Sequence, residues 1–359
     1  MAKRKAIKSK PYFILLQWPG PTGGADTRAR DLLWLLREDG RFQLRCLPND
    51  LGWTKTDPET VALLKELDVP ILQRGWPKGL RMDGIAFACC NFDLFKDDAK
   101  LLRPVLDTGL RFVWANDMMW HNEDELKAIK SKLVSTVLYT SDFHAMRMAG
   151  QVRAANPDVN EALVDNYFWP DAHKFIDRSG RTNSYCAIGK HSRDDWAKYS
   201  ENFPDFYEKL GLESPFYRVM GWGKNQTDKW RWHNFDKSRW TMYPLKHMPV
   251  YDFLAMLDVY VYNSHHKFVE NQSRAIVEAA MSGLPIVAPN KYNFPNQIWH
   301  ERTGYLWDNY MQCQTYCKRL EADKALRLEL GQRASKLAFD VWCDRDRQLR
   351  QWNYVMAGL

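Results

Sequence analysis

Short apolar runs alternate with longer amphipathic stretches along the first half of the chain. The apolar runs predict strands at Tyr12–Gln17, Phe42–Leu47, Val69–Gln73, Ile85–Cys90, Arg111–Ala115 and Thr136–Tyr139. The stretches between them have helical spacing and predict helices at Ala25–Glu38, Lys96–Leu106, Glu123–Leu133 and Phe143–Ala155. Strands that alternate with helices in this way indicate a parallel sheet covered on both faces.

The alternation pauses over Asn166–Arg181, which is rich in Pro, Asp and Gly, and then resumes. The second half predicts strands at Tyr185–Ile188, Phe216–Met220, Val259–Tyr262, Ile286–Ala288 and Gly304–Trp307. It predicts helices at about Asp194–Leu210, Val250–Leu257 and Ser273–Met281. We interpret the pause as a linker between two doubly wound α/β domains, 1–175 and 176–337.

The amino-acid composition is typical of a globular protein without a membrane-spanning segment. The 359 residues are enough for two domains, and 45% hydrophobic with 26% charged residues is the balance of a globular protein. No apolar run approaches the roughly 20 residues of a membrane span, and no signal sequence is recognisable. The seven cysteines contain no Cys-x-x-Cys pair, which indicates reduced thiols without a metal. We therefore expect a cytoplasmic protein (in a host cell, if a phage encodes it).

A net charge of +7 suits a polyanionic partner, whether nucleic acid, an acidic membrane surface or a diphosphate substrate. The segment that bears most directly on chemistry begins at Glu270 and continues through Glu278-Ala-Ala-Met-Ser-Gly-Leu-Pro. On a helix, the two glutamates lie on nearby faces two turns apart. Carboxylates placed in this way can bind paired sugar hydroxyls, although an ordinary solvated helix has the same spacing.

The wider segment, from Val259 to Leu306, resembles the group 1 family of retaining GT-B glycosyltransferases. That family has a strand, a Glu-x7-Glu helix, an Ala-Met-x-Gly-x-Pro turn, a Gly-Gly-x-Pro-Glu loop and a Thr-Gly-x-Leu strand in this order. The loop here, Tyr292–Asn296, lacks the two glycines and the glutamate. The donor sugar therefore stays open.

The resemblance implies a GT-B fold, in which two Rossmann-like domains face each other across a cleft. It also implies a C-terminal helix, 338–359, that crosses back to the first domain. The reaction would move a sugar from a nucleoside diphosphate sugar, expected to be a UDP-sugar, to an acceptor hydroxyl with retention. No metal or other cofactor is expected, because protein cations stabilise the leaving group in such enzymes.

The resemblance assigns roles to residues of the second domain. Glu278 would hold the ribose hydroxyls and Glu270 the transferred sugar. Lys190 stands in the place of the family's arginine, and with Arg193 or Lys198 would bind the donor diphosphate. The family's lysine position is occupied by Asp195. A solvated basic loop is the alternative interpretation of these cations.

Two features of the first domain also resemble the family. Gly23 and Gly24 belong to a glycine-rich stretch before a helix, where backbone N–H groups favour a phosphate or sugar oxygen; a plain turn is the alternative. Asn116-Asp117 corresponds to the family's His-Asp, so Asp117 or His121 is expected to face the acceptor. Asp117 is thus grouped with Glu270 and Lys190 as catalytic, unless it only caps a helix.

The acceptor is the least determined part of the interpretation. A basic stretch, Met1–Lys10, and an aromatic and basic stretch from Lys224 to Arg239 favour double-stranded DNA with hydroxymethylated bases, as in phage DNA glycosyltransferases. The residues expected to contact DNA are Lys224, Lys229, Trp230, Arg231, Trp232, Lys237 and Arg239. A cell-surface polysaccharide or lipid-linked acceptor is the alternative, as is a binding protein that has lost catalysis.

Overall fold

The computed structural model describes residues 10–20, 23–48, 58–72 and 81–357. The contacts among them divide the chain into two units. The first contains the described residues up to Trp169 together with those from Arg345, and the second is Pro170–Asp344. The sequence boundaries at 175 and 337 therefore shift to 169 and 344 when contacts define them. The Met1–Lys10 stretch lies almost wholly outside the described residues.

The first unit is built on a parallel sheet of six strands. They are β1 (Tyr12–Leu15), β2 (Gln43–Cys46), β3 (Gly84–Cys89), β4 (Arg111–Ala115), β5 (Thr136–Tyr139) and β6 (Asn160–Leu163), in the order β2-β1-β3-β4-β5-β6. Successive strand residues point to opposite faces, and both faces are buried: Phe13 and Phe87 pack on one side, Ile14 and Trp114 on the other.

Helices of the first unit follow the strands. They are α1 (Gly24–Asp39), α2 (Pro58–Glu66), α3 (Lys96–Ala99), α4 (Arg103–Leu106), α5 (Glu123–Lys130) and α6 (Asp142–Ala155). The predicted helix Lys96–Leu106 is wrong as a single element. It is interrupted because Asp97 and Asp98 adopt positive φ, and it restarts where Pro104 can occupy the first helical turn.

Two predictions about strands in the first unit also need correction. The predicted strand Val69–Gln73 is reduced to a single bridge between Ile71 and Cys46, and Gln73 lies outside the described residues. Pro70 has no N–H to donate to a ladder, which explains the short pairing. Strand β6 was not predicted because Asn160–Leu163 is a polar edge strand without an apolar run.

The second unit repeats the architecture with β7 (Cys186–His191), β8 (Pro215–Met220), β9 (Trp240–Tyr243), β10 (Val259–Val261), β11 (Ile286–Pro289) and β12 (Gly304–Trp307). Their order is β12-β11-β10-β7-β8-β9, and every pairing is parallel. The predicted fold class, two doubly wound α/β domains, is confirmed. Strand β9 was missed because its residues lie at the end of the aromatic and basic stretch.

Helices of the second unit are α7 (Phe203–Glu208), α8 (Lys224–Lys229), α9 (Val250–Ala255), α10 (Arg274–Met281), α11 (Phe294–Gln297), α12 (Tyr310–Ala322) and α13 (Lys324–Trp342). The predicted helix Asp194–Leu210 is wrong over its first half. A 3₁₀ turn at Trp196–Lys198, capped by the Asp195 side chain, is followed by extended Tyr199. Helix α7 begins only at Phe203, with Pro204 in its first turn.

The last helix, α14 (Arg345–Met356), is separate from α13 and belongs to the first unit. A continuous helix over 338–359 was expected, but the helix is interrupted at Cys343 and Asp344. Trp352 of α14 is buried and packs edge-to-face on Phe13 and Phe87, with ring centroids 5.8 and 5.5 Å away. Among the helices described, none is both long and apolar enough to cross a bilayer.

Candidate functional site

The strand order of the second unit changes direction between β10 and β7. From β7 the chain moves outward to β8 and β9, then returns to β10 on the other side of β7. Loops that leave the carboxyl ends of two such strands diverge, and doubly wound folds bind ligands in the resulting crevice. Lys190 and His191 end β7, and the chain from Asn263 to Glu270 follows β10.

A carboxylate and an ammonium meet at this switch point. The Lys198 ammonium donates to both carboxylate oxygens of Glu270, at 3.2 and 3.0 Å. The hydroxyl of Tyr262 donates to the same carboxylate at 2.5 Å. The side chains of Lys198 and Glu270 are only 16% and 8% exposed, so the pair is held in a largely desolvated position. Lys198 is the last residue of the 3₁₀ turn Trp196–Lys198.

Lys190 lies beneath this pair rather than beside it. Its side chain is buried, and its ammonium donates to the carbonyl oxygens of Lys198 and Asn263. The rings of Tyr199 and Tyr262 lie 4.5 and 4.9 Å from the nitrogen. Burial, together with the Lys198 charge, lowers the pKa of Lys190 to about 7, although Glu270 opposes the shift. Lys190 thus links the loops that carry Lys198 and Glu270.

Glu278 of α10 is paired with a residue that the sequence did not single out. Nε2 of His191 lies 3.0 Å from Glu278 Oε2, so this nitrogen carries the proton. Burial acts to raise the pKa of Glu278, but the hydrogen bond and charge of His191, with the charge of Arg274, lower it to about 2. Glu278 is therefore ionised, and its side chain is still 18% exposed.

Arg193 is placed differently from the other predicted donor residues. Its side chain is 55% exposed, and its guanidinium lies 3.5 Å from Asp195. Asp195 accepts a hydrogen bond from the backbone of Ala197 at 3.0 Å, so it shapes the turn that carries Lys198 instead of binding a ligand. The structure brings Lys190, Lys198 and Glu270 together and leaves Arg193 at the surface of the same loop.

The glycines predicted for the first unit lie at the start of α1. Gly23 is the N-cap residue, with φ of 95°, and Gly24 is the first helical residue. The left-handed backbone at Gly23 is one that side chains rarely adopt, which explains a glycine at this position. Pro21 and Thr22 of the same stretch lie outside the described residues.

Asp117 follows β4 in the first unit and is bound by a buried cation. The Arg28 guanidinium of α1 pairs with one carboxylate oxygen of Asp117 and donates to the Val164 carbonyl at 3.0 Å. The Cys89 thiol donates to the other oxygen at 3.2 Å. Asp117 therefore sits at the carboxyl edge of the first sheet, where a ligand is expected, and its side chain is 18% exposed.

His121 does not occupy the accessible position that the sequence suggested. Its side chain is 1% exposed, and Nδ1 lies 2.8 Å from Glu125 Oε1. Glu125 also accepts hydrogen bonds from Asn116 and from the Trp114 indole, at 3.0 and 2.7 Å. His121 and Asn116 thus satisfy a buried carboxylate, and this network has a structural role.

The aromatic and basic stretch divides between core and surface. Trp230 is half-buried against the core of the second unit, whereas Trp232 is 86% exposed, with the Arg231 guanidinium 5.0 Å from its ring centroid. Arg239 lies 3.8 Å from Asp236 on the surface. The exposed basic residues are Lys224, Lys229, Arg231, Lys237 and Arg239.

Among the residues that contact predicted site residues, sequence reasoning missed His191, Tyr262 and Arg28. Each lies within or beside an apolar run or a helix, and nothing in its spacing marks it. The adjacency of His191 to Lys190 at the end of β7 was the one available signal, because residues at this end of a strand face the ligand edge.

Comparison with known proteins supports the family resemblance. Residues 236–337 match the model described as Glycosyl transferases group 1. No curated protein matches the sequence. The fold is similar to that of HepE from Anabaena in complex with UDP and glucose, at 15% identity and a TM-score of 0.72, covering 98% of this chain and 100% of that chain.

Two further solved structures share the fold. Sucrose-phosphate synthase from Thermosynechococcus elongatus gives a TM-score of 0.69 at 12% identity, covering 98% of this chain and 100% of the other. A glycosyltransferase from Rickettsia africae gives a TM-score of 0.68 at 12% identity, covering 97% of this chain and 99% of the other. The fold is therefore the GT-B fold. Residues 236–337, a part of the second unit, are similar to the group 1 glycosyl transferases, within a chain of that fold.

Proposed function

We propose that this protein is a glycosyltransferase that takes a sugar from a nucleoside diphosphate sugar of the UDP class. The observation that carries the proposal is the arrangement of Lys198, Glu270 and Glu278 around the switch point of the second sheet. The site offers a cation for a diphosphate and two carboxylates for sugar hydroxyls. The structural similarity to HepE, which was solved with UDP-glucose, favours a uridine nucleotide.

Lys198 is the cation best placed to meet the diphosphate. In the structure its charge is balanced by Glu270, and a diphosphate would offer a stronger set of charge-assisted contacts. Transfer of the ammonium to the phosphates would free Glu270 for the hydroxyls of the transferred sugar. Lys190 would hold the two loops in register, and Arg193 could reach the phosphates only from the surface.

Glu278 would bind the ribose hydroxyls. It is ionised and His191 contacts its Oε2 atom, so the carboxylate can act as an acceptor for hydroxyl donors. We further propose transfer with retention, with the acceptor hydroxyl attacking on the face from which the diphosphate leaves, and without a metal, since Lys198 supplies the charge that stabilises the leaving group. Asp117 is proposed to contact the acceptor.

Donor binding and donor hydrolysis test this site directly. Glu270→Ala and Glu278→Ala should each weaken UDP-glucose binding by about 1–3 kcal/mol, because a hydroxyl or a buried partner loses its hydrogen bond. Lys198→Ala should lower kcat by about 10²-fold. Glu329→Ala, which removes an exposed carboxylate on α13, is the matched control.

Calorimetric titration and hydrolysis of radiolabelled UDP-glucose provide the two measurements, the latter with and without EDTA. Wild-type affinity and turnover in both glutamate variants would refute the site. Loss of turnover with EDTA and its rescue by Mg²⁺ or Mn²⁺ would refute the metal-free proposal alone.

For the acceptor, we propose double-stranded DNA with hydroxymethylated bases. The observation that favours it is the exposed pair of Arg231 and Trp232, which combines a phosphate-binding cation with an aromatic ring that no described residue buries. A polysaccharide or lipid-linked acceptor is the alternative outcome. Transfer of labelled sugar to each class, measured side by side, decides between them.

A further inference from the structure

Two consecutive cysteines at the carboxyl end of β3 bring their sulfurs to one side of the chain. Neighbouring residues of a strand normally point to opposite faces. Cys90 departs from this rule because its φ is 53°, in the left-handed region. The Cys89 thiol lies 3.2 Å from Asp117 Oδ2, and the Cys90 sulfur accepts a hydrogen bond from the Asp117 N–H, also at 3.2 Å.

The backbone of Cys90 is strained in this arrangement. The left-handed region is unfavourable for a residue with a Cβ, and such strain is concentrated at functional sites. A glycine would adopt the same φ without the penalty. The strain is compensated by the hydrogen bond from Cys90 N to the Ala115 carbonyl, 2.9 Å.

The three side chains form a compact set of soft and hard ligand atoms. Both sulfurs and a carboxylate oxygen of Asp117 lie within 4.8 Å of one another. Tetrahedral zinc with Zn–S bonds of about 2.3 Å requires sulfurs about 3.8 Å apart, so only small movements would be needed. Cys90 is half-buried and Asp117 partly exposed, which leaves a route to solvent.

Charge also favours a divalent ion at this position. Two thiolates and one carboxylate together balance a divalent cation and the buried guanidinium of Arg28. Arg28 is bound to one oxygen of Asp117, and Cys89 contacts the other, so a metal could bind the second oxygen while the ion pair persists. Without a metal, burial raises the pKa of the Cys89 thiol well above its ordinary value.

We propose that Cys89, Cys90 and Asp117 form a binding site for a thiophilic divalent metal ion of the zinc class, with three protein ligands and one open position. Binding displaces both thiol protons and forms two metal–sulfur bonds, without any change of oxidation state. Consecutive cysteines do not match the spacing of known zinc motifs, so the sequence predicted no metal here. The site is independent of the donor chemistry in the second unit.

Titration of the reduced full-length protein with Co²⁺ tests the proposal, because cobalt thiolates absorb in the near-ultraviolet and visible. The expected result is one thiolate-bound cobalt per chain, displaced by Zn²⁺, with affinity that rises with pH. Cys90→Gly removes one sulfur and relieves the strained φ, so the variant should fold at least as stably as the wild type. It should lose at least about 10–100-fold in affinity.

The chain contains a second pair of neighbouring thiols that would compete for cobalt, and this pair provides the matched control. Cys313 and Cys317 are buried one turn apart on α12. Cys317→Ser should leave cobalt absorption unchanged, whereas Asp117→Asn should weaken binding. Absent thiolate absorption in the wild type, or equal absorption in Cys90→Gly, would overturn the proposal. UDP-glucose binding, measured on the same samples, reports folding and tests the donor site separately.

Discussion

Lys190 is a buried cation that donates to two backbone carbonyls and lies against two aromatic rings. Its pKa is lowered to about 7, from an ordinary value of 10.5, chiefly by burial. Between these two pH values, the unfolded chain binds more protons at this residue than the folded one. The free energy of unfolding should therefore rise with pH across this window, and the penalty for burying the charge is complete below pH 7.

The variant Lys190→Met removes this titration. Relative to this variant, the free energy of unfolding of the wild type should rise by up to about 1.4 kcal/mol per pH unit between pH 7 and 9.5. Urea unfolding at several pH values measures the difference. Lys336→Met, at an exposed position on α13, is the control and should run parallel to the wild type. Parallel curves for Lys190→Met and the wild type would show that Lys190 is not neutralised by burial.

At the scale of secondary-structure elements, the spacing between β7 and β8 limits the size of the residue at position 189. Gly189 of β7 lies so close to β8 that a Cβ at this position would come within 1.7 Å of the Arg218 carbonyl oxygen. The carbonyl oxygen belongs to the backbone of β8, and the position of the Cβ would be fixed by the backbone of β7. Neither atom can therefore move without displacing a strand. The glycine is therefore required by close approach and not by an unusual φ.

Gly189→Ala should destabilise the protein by about 3 kcal/mol or more, because the paired strands β7 and β8 must separate. Gly180→Ala is the matched control, since a Cβ there meets no atom within 4 Å. Thermal or urea unfolding monitored by circular dichroism compares the two. A loss below about 1 kcal/mol for Gly189→Ala would contradict the observed spacing of β7 and β8.

At the scale of the whole molecule, the excess of 51 basic over 44 acidic residues favours polyanions. If DNA is the acceptor, log Kobs for duplex should fall with log salt by about 0.9 for each phosphate neutralised. The double variant Arg231→Ala/Arg239→Ala should reduce this slope by about 1.8, twice the single contribution, while donor hydrolysis is unchanged.

Fluorescence anisotropy of labelled duplex across salt concentrations measures the slope, and Arg333→Ala on the surface of α13 is the control. Salt-sensitive binding alone would also fit an anionic membrane, so transfer must be measured on DNA with and without hydroxymethylated bases. If neither DNA accepts sugar while a lipid-linked or polysaccharide acceptor does, the DNA proposal is wrong.

The sequence by itself determined the architecture. Buried parallel strands require continuous apolar runs, and helices require their own spacing, so β4, β5 and β12 have the predicted bounds. The Glu270-x7-Glu278 segment was recognisable because its residues are close along the chain. Polar edge strands such as β6 carry no such pattern and were missed.

The tertiary structure alone decided which polar groups meet. Lys190 and Lys198 look equivalent in sequence, but Lys190 is buried in β7, whereas Lys198 lies in a 3₁₀ turn and contacts Glu270. The pairs His191–Glu278 and Arg28–Asp117 join residues 87 and 89 positions apart. Periodicity reports whether a residue is buried and on which face. It carries no information about partners brought from another strand, and these contacts set the charge and orientation of each candidate residue.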